Sequence, residues 1–379
     1  MSFQDVVLVR YGEITLKDRW TRHSWERLLA SNLAFDLRKF GVEHRVARSE
    51  GRIFIHTPDL RAAEIAARVF GVVSASPAQT VLPDIGEISQ AAAEMAMRIK
   101  PRTFAIRPRR SGGSISSETI GREAGEAVRT AATGATVDLE APEFEIFVEA
   151  RQDRVYLFTE ILKGPGGLPL GSGGRMVALI SGGIDSSVAA WMMMRRGCPV
   201  SLLHFDSRPY ADALAQSMRS AEVLAQWTSG RKINFIQVPI ARGIEKIASH
   251  YPRATCVLCR RLMYRIATEV AGKEKALGIV TGYSLGQVAS QTPENIMAEQ
   301  AGIEVPVYHP LIAMDKTEIM ERARKVGTYQ VTESTRPCSA VPRRPMTKAR
   351  LGEIMALEEE LGLQDMARAL AAEMSLTKI

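Results

Sequence analysis

The sequence predicts an α/β protein whose C-terminal half is a parallel sheet with helices on both faces, preceded by smaller α+β units. Three observations carry this. From residue 176 onward, short apolar runs suited to buried strands alternate with segments of helical periodicity. The glycine-rich string Ser181-Gly182-Gly183-Ile184-Asp185-Ser186-Ser187 falls between the first such strand and the next helix. The first ~70 residues read strand, helix, strand, strand, helix, the order of a compact α+β motif.

In chain order, 6–11 is a strand and 17–40 an amphipathic helix with Trp25, Leu28, Leu29, Leu33 and Leu37 on one face, stopped by Gly41. Alternation over 42–47 and 52–56 gives a hairpin pair, and 60–70 a second helix, completing a ferredoxin-like unit. Then follow helix 88–99, strand 103–107, helix 117–132 and strands 137–139, 144–150 and 155–158. After strand 103–107, Arg107, Arg109 and Arg110 stand beside the loop Ser111-Gly112-Gly113, offering charge and backbone donors to phosphates; a solvated basic loop is the competing reading. Residues 163–174 hold too many glycines and prolines to form an element and read as a linker. Beyond it come strands 176–180, 199–205, 233–238 and 276–281, with helices 187–196, 210–228, 241–250, 258–272 and 315–326.

Composition narrows the function classes. The 379 residues are 46% hydrophobic and 24% charged, ordinary for a globular protein with a sizeable core. No apolar run reaches the ~18–20 residues of a membrane span and the first ten residues lack signal-peptide shape, so a cytoplasmic protein with no membrane partner is expected. Lys and Arg number 49 against 42 acids, and the net charge of +7 permits a polyanionic partner. The four cysteines, Cys198, Cys256, Cys259 and Cys338, are too few for a disulfide scaffold and point to metal or thiol chemistry.

The chemistry concentrates after the strands of the second half, where α/β sheets bind ligands. The two adjacent glycines let the backbone approach an anion, and Ser186 and Ser187 can cap the helix or donate hydroxyls. No Gly-Lys-Ser/Thr follows, so this is not the common P-loop; an acid, Asp185, occupies the turn instead. Beside phosphates that acid calls for a bridging Mg²⁺; its structural alternative is a helix N-cap. Cys256-Val257-Leu258-Cys259 suits half of a zinc or iron–sulfur site or a redox disulfide, and Arg260 and Arg261 suit phosphate neutralisation. Cys338 lies between Pro337 and Pro342 in a loop, among the cations Arg336, Arg343, Arg344, Lys348 and Arg350, which favour a thiolate and RNA together. Cys198, at a helix-to-strand turn, reads as packed.

These strings resemble known families. Ser181–Ser186 is similar to the S-G-G-x-D-S signature of the PP-loop ATP pyrophosphatases, which cleave ATP between the α and β phosphates. Tyr11-Gly12-Glu13-Ile14 with Leu16-Lys17, the THUMP-like pieces around Arg107–Gly113 and 117–123, and Thr281-Gly282-Tyr283-Ser284-Leu285-Gly286-Gln287-Val288-Ala289-Ser290-Gln291-Thr292 resemble the tRNA 4-thiouridine synthetases. So does His309-Pro310-Leu311-Ile312-Ala313-Met314-Asp315-Lys316. Two departures are Tyr283, where an acid is usual, and Ser187, where proline is frequent.

The resemblance implies an N-terminal ferredoxin-like domain over 1–60, a THUMP RNA-binding domain over 61–165, a linker over 166–174 and a PP-loop domain of the adenine nucleotide α-hydrolase type over 175–379. It implies ATP at Leu179, Ile180, Ser181, Gly182, Gly183, Asp185, Ser186, His204, Phe205, Arg260, Gly282 and Gln291, although His204 alone would read as a satisfied core histidine. It implies tRNA at Arg107, Arg109, Arg110, Arg343 and Arg344, and a catalytic set of Asp185, Cys256, Cys259 and Cys338. The expected reaction is ATP-dependent sulfur transfer to a tRNA uridine, position 8 in the family, through an adenylated uridine. The cysteines resemble those of members without a rhodanese domain, in which they hold an iron–sulfur cluster, [4Fe-4S] or [3Fe-4S]. The alternative is a Cys338 persulfide. Expected partners are tRNA, a sulfur donor such as a cysteine desulfurase persulfide or sulfide, and a second copy of the chain in a homodimer. The competing functions are sulfur transfer to the thiazole of thiamine and RNA binding with a vestigial ATP site.

Overall fold

The computed structural model describes residues 5–49, 51–332 and 338–379; Arg336 and Pro337 lie outside the described residues. The chain forms two compact units that divide after Gly167.

In the first unit, β1 (Val6–Tyr11) leads through a 3-10 turn at Glu13–Leu16 into α1 (Arg19–Lys39), followed by β2 (Arg45–Ser49), β3 (Arg52–His56) and α2 (Arg61–Ala66). Helix α1 starts at Arg19 because the Asp18 carboxylate accepts the N–H groups of Trp20 and Thr21. Then come β4 (Val72–Val81), α3 (Ile85–Ile99), β5 (Thr103–Arg110), α4 (Ser117–Ala131), β6 (Thr136–Val137), β7 (Phe144–Ala150), β8 (Val155–Phe158) and β9 (Leu162–Lys163). Strand β4 carries no sequence signal, because Ser74, Ala75, Ser76, Pro77 and Ala78 neither alternate nor avoid proline. Yet it is central. Val72 to Ala78 pair antiparallel with β1 and Gln79 to Val81 with β8, so one sheet of nine strands among the described residues runs β2-β3-β1-β4-β8-β7-β5-β6, with β9 beside β4. Leu29, Leu33 and Leu37 of α1 bury against β1 and β3, and α3 and α4 pack together over Phe104, Ile146 and Val148.

The second unit contains β10 (Met176–Leu179), α5 (Ile184–Arg195), β11 (Val200–Asp206), α6 (Leu214–Ala225), β12 (Asn234–Pro239), α7 (Ala241–His250), α8 (Thr255–Glu274) and β13 (Ile279–Val280). It continues with α9 (Pro293–Gln300), β14 (Val307–Tyr308), α10 (Lys316–Val326), α11 (Leu351–Glu360), α12 (Leu363–Ala372) and β15 (Ser375–Lys378). The sheet order is β14-β13-β10-β11-β12-β15; every pairing is parallel except β12 with β15. The antiparallel edge departs from the wholly parallel expectation, since Ser375-Leu376-Thr377-Lys378 is too short and polar to signal a strand unpaired. Helices α7, α8 and α12 bury the main core, while α5 packs on α6 and α10.

The glycine-rich segment is tied down at both of its ends. Gly164 and Gly166 donate to Val73 and Val72, while Gly171 and Gly173 both donate to the Gly197 carbonyl.

Candidate active site

Helix α5 begins at Ile184, three residues earlier than expected, because Gly183 is its N-cap. Asp185 is therefore not the cap and stands in the first turn. Neither serine caps the helix: Ser186 Oγ accepts the Ser181 N–H at 3.0 Å and tightens the turn, and Ser187 Oγ donates back to the Ile184 carbonyl at 2.8 Å. With a glycine cap, the first-turn N–H groups receive no side-chain acceptor and are left for an anion. Gly282, just beyond β13, closes on this turn. A Cβ there would lie 2.6 Å from the Ser186 nitrogen and 2.7 Å from the Asp185 carbonyl carbon, so only glycine lets the two loops meet.

A cleft of about 510 Å³ opens at the carboxyl ends of β10, β11 and β13. Leu179, Ile180, Ser181, Gly182, Gly183, Asp185, Ser186, His204, Phe205, Arg260, Gly282 and Gln291 all line it, as does Cys338. His204 is buried, faces the Ile180 carbonyl through Nδ1 at 3.3 Å and stacks on Phe235; burial lowers its pKa and holds it neutral. The buried Gln291 Oε1 has no hydrogen-bond partner among the described residues, an acceptor awaiting a donor. Asp185 receives Lys316 Nζ at 2.6 Å and Gln287 Nε2 at 2.8 Å. Two carboxylates line the cleft, Asp185 and Asp212, and such a set fits Mg²⁺, which takes one or two carboxylates together with substrate phosphates.

A second, largely apolar pocket of about 400 Å³ is lined by Cys256, Cys259 and Cys338, and shares Ser207, Arg260, Met263, Val288 and Cys338 with the cleft. Because α8 starts at Thr255, Cys256 and Cys259 occupy its first two turns on one face. Burial pushes the Cys259 thiol up to about 12 and raises Cys256 as well, against the pull of Arg260. Three thiols on one largely apolar pocket fit the donor set of an iron–sulfur cluster with an open iron. Among the described residues, however, no three such side chains stand in metal-coordination geometry. Cys198 is buried, and burial raises its thiol.

The other nominated arginines fare differently in the fold. Arg261 does not neutralise phosphate: it is fully buried, paired with Glu358 of α11 and donating to the Ala298 carbonyl, because its side chain leaves α8 about 100° around the helix from Arg260. In the first unit β5 runs on through Arg110, and Arg107 is bound to Glu145 at 2.7 Å and to the Leu139 carbonyl. Arg109 and Arg110 are exposed and carry no ion pair among the described residues, and Arg343 and Arg344 are exposed in the second unit. Lys316 and Glu299 are the side chains that sequence reasoning passed over. Lys316 was visible in its motif, but only the fold brings it 131 residues back to Asp185.

A parallel α/β sheet with an S-G-G-x-D-S turn beside its cleft, on a chain that also carries a mixed α+β sheet unit, defines the class of α/β proteins with a PP-loop-like phosphate turn. Family models described as Thiamine biosynthesis protein (ThiI), ThiI ferredoxin-like domain and THUMP domain match residues 171–363, 6–76 and 80–160. A probable tRNA sulfurtransferase of Methanosarcina mazei is 44% identical, with 96% of this chain and 92% of the relative covered. Another from Methanothermobacter thermautotrophicus is 38% identical over 99% and 98%. A solved 4-thiouridine synthetase–RNA complex with bound ATP superposes with a TM-score of 0.87 at 29% identity, covering 99% of this chain and 100% of that one. The chain belongs to the ThiI family of tRNA sulfurtransferases.

Proposed function

We propose that this protein transfers sulfur to a uridine of tRNA at the expense of ATP, giving 4-thiouridine. The observation that carries the reading is the sharing of Arg260, Met263, Val288 and Cys338 between the nucleotide cleft and the three-cysteine pocket, which sets an activating site beside a sulfur site. The relatives named tRNA sulfurtransferases and the ATP-bound 4-thiouridine synthetase support it.

The chemistry follows from what each region offers. A uridine carbonyl oxygen is a poor leaving group, and its attack on the α-phosphate of ATP, with pyrophosphate departing, makes it a good one. The turn at Ser181–Ser186 and Lys316 hold the phosphates, Arg260 meets charge that develops at the α-phosphate, and Gln291 orients the nucleotide. Mg²⁺ held by Asp185 would supply charge neutralisation of those phosphates. A sulfur nucleophile from the thiol pocket then attacks C4, and the C4–O bond breaks to release AMP. The sulfur arrives as sulfide, which needs no redox step, or as a Cys338 persulfide. In the second case the thiol of Cys256 or Cys259 attacks Cys338 Sγ, the S–S bond to the sulfur on C4 breaks, and a protein disulfide is left for an external dithiol to reduce. A cluster held by Cys256, Cys259 and Cys338 would supply an open coordination position for sulfide. Arg109, Arg110, Arg343 and Arg344 supply phosphate contacts for tRNA. The reaction is expected in the cytoplasm; no helix among the described residues is long and apolar enough to cross a membrane.

The test is mass spectrometry of tRNA from a deletion strain together with pyrophosphate release by the purified protein. Loss of 4-thiouridine and tRNA-dependent pyrophosphate release are expected. Intact 4-thiouridine in a strain that requires thiamine would favour the thiazole reading, which the family description supports. Absent pyrophosphate would leave an RNA-binding role with a vestigial ATP site.

A further inference from the structure

Glu299 of α9 is fully buried, yet it lines neither the cleft nor the cysteine pocket. Its Oε2 accepts the Tyr283 hydroxyl at 2.6 Å, and its Oε1 has no partner among the described residues. Burying a carboxyl group with one oxygen unpartnered costs free energy even when the group takes up a proton, so an apolar residue would serve mere packing better. Its setting is informative. Tyr283 lines the nucleotide cleft, its ring stacks on His309 with centroids 5.1 Å apart, and the Arg260 guanidinium lies 5.6 Å from the same ring's centroid. The next residue of α9, Gln300, donates to His309 Nε2 at 2.6 Å, while Thr281 faces Nδ1. Two consecutive helix residues therefore hold two stacked rings.

Arg260 is the side chain this arrangement serves. It borders both cavities, and its only protein hydrogen bond among the described residues goes to the Met263 sulfur at 3.9 Å. Among the described residues no carboxylate pairs with it directly, in contrast to Arg261, which Glu358 neutralises. Its N–H donors are thus free for a phosphate, and its position depends on the ring beneath it. Position 283 is where the family signature carries an acid, and here the Tyr283 hydroxyl is held by the acid of Glu299.

We propose that Glu299, by anchoring the Tyr283 ring through its hydroxyl, is a positioning residue that holds Arg260 at the junction of the nucleotide cleft and the thiol pocket. The assignment rests on the adenylation reading for the charge Arg260 meets. A side chain misplaced by ~1 Å near the reacting centre costs up to about a hundredfold in rate.

The experiment compares Tyr283→Phe, Glu299→Leu, Glu299→Gln and the Tyr283→Phe/Glu299→Leu double variant in the full chain. ATP affinity without tRNA, kcat and KM for tRNA-dependent pyrophosphate release, and melting temperature are measured. Tyr283→Phe and Glu299→Leu are each expected to slow release about tenfold to a hundredfold and to weaken ATP binding severalfold. The double variant is expected to be no worse than either single, because both cut the same link. Glu299→Gln still accepts the hydroxyl and is expected to stay within about threefold of wild type. Wild-type kinetics in Tyr283→Phe, additive losses in the double variant, or Glu299→Gln as defective as Glu299→Leu would each overturn the assignment. So would a fall in kcat that tracks lost folded protein at unchanged KM and ATP affinity. Wild-type protein that binds ATP without releasing pyrophosphate overturns the adenylation reading alone, and the ATP affinities of the variants then decide the positioning role.

Discussion

Lys316, at the first turn of α10, places its ammonium 2.6 Å from Asp185 in the first turn of α5, so the cation and acid of the phosphate turn neutralise one another before nucleotide arrives. The Lys316 side chain is 48% exposed, and pairs of that kind add at most about 1 kcal/mol to stability. Lys316→Met should therefore melt within a few degrees of wild type while slowing pyrophosphate release roughly a hundredfold, the scale on which charge-stabilising groups act. Thermal melting beside a coupled pyrophosphate assay checks both halves; unaltered release would remove Lys316 from phosphate binding.

Gly282→Ala tests the meeting of the β13 loop with the phosphate turn. The added methyl group meets backbone rather than a movable side chain. Destabilisation of about 1–3 kcal/mol is expected, with ATP binding lost in the fraction that remains folded. Denaturant titration with and without ATP reads this, and ATP-dependent stabilisation equal to wild type would contradict it.

Stability should depend on pH in two opposed ways within the network beside the cleft. Burial raises Glu299 from 4.5 to about 8, so the folded state holds a proton that the unfolded chain has lost between those values. Its contribution is full below about 4.5 and disappears as pH rises through about 8, a loss on the order of a few kcal/mol. Burial lowers His309 from 6.5 to about 4, so its contribution is present above 6.5 and is lost as pH falls through about 4. Melting curves at pH 5 and pH 8 should show Glu299→Gln losing less stability than wild type on the alkaline side. Curves at pH 7 and pH 4.5 should show His309→Asn losing less on the acid side. Parallel shifts of variant and wild type would refute either assignment.

On the proposed mechanism, changes in the thiol pocket should separate activation from sulfur transfer. Cys338→Ser should abolish thiolation while keeping tRNA-dependent pyrophosphate release, because the cleft retains its other walls. Undiminished thiolation would exclude Cys338 from both routes. Protein purified without oxygen that is colourless, iron-free and fully active would remove the cluster route and leave the persulfide.

Arg109→Ala and Arg110→Ala should each weaken tRNA binding and lower the slope of log affinity against log salt by about 0.7–0.9. Arg107→Ala should change that slope less, since Arg107 is already bound to Glu145. Filter binding across a salt series is the measurement.

The α/β alternation, the phosphate turn and the grouping of Cys256 with Cys259 were legible in the sequence because each rests on spacing within one or two elements. Apolar periodicity marks which helix face is buried, and adjacent glycines mark where backbone meets an anion. Only the tertiary structure decided which of two neighbouring arginines lines the cleft. Arg260 and Arg261 differ by one position on α8, and that step of about 100° sends one to the cleft and the other to Glu358. The same holds for β4 and β15, whose polar or small residues become strands only when partners complete their hydrogen bonds. It holds for Lys316 against Asp185 and Glu299 against Tyr283 as well, pairs made between separate elements whose approach no local pattern encodes.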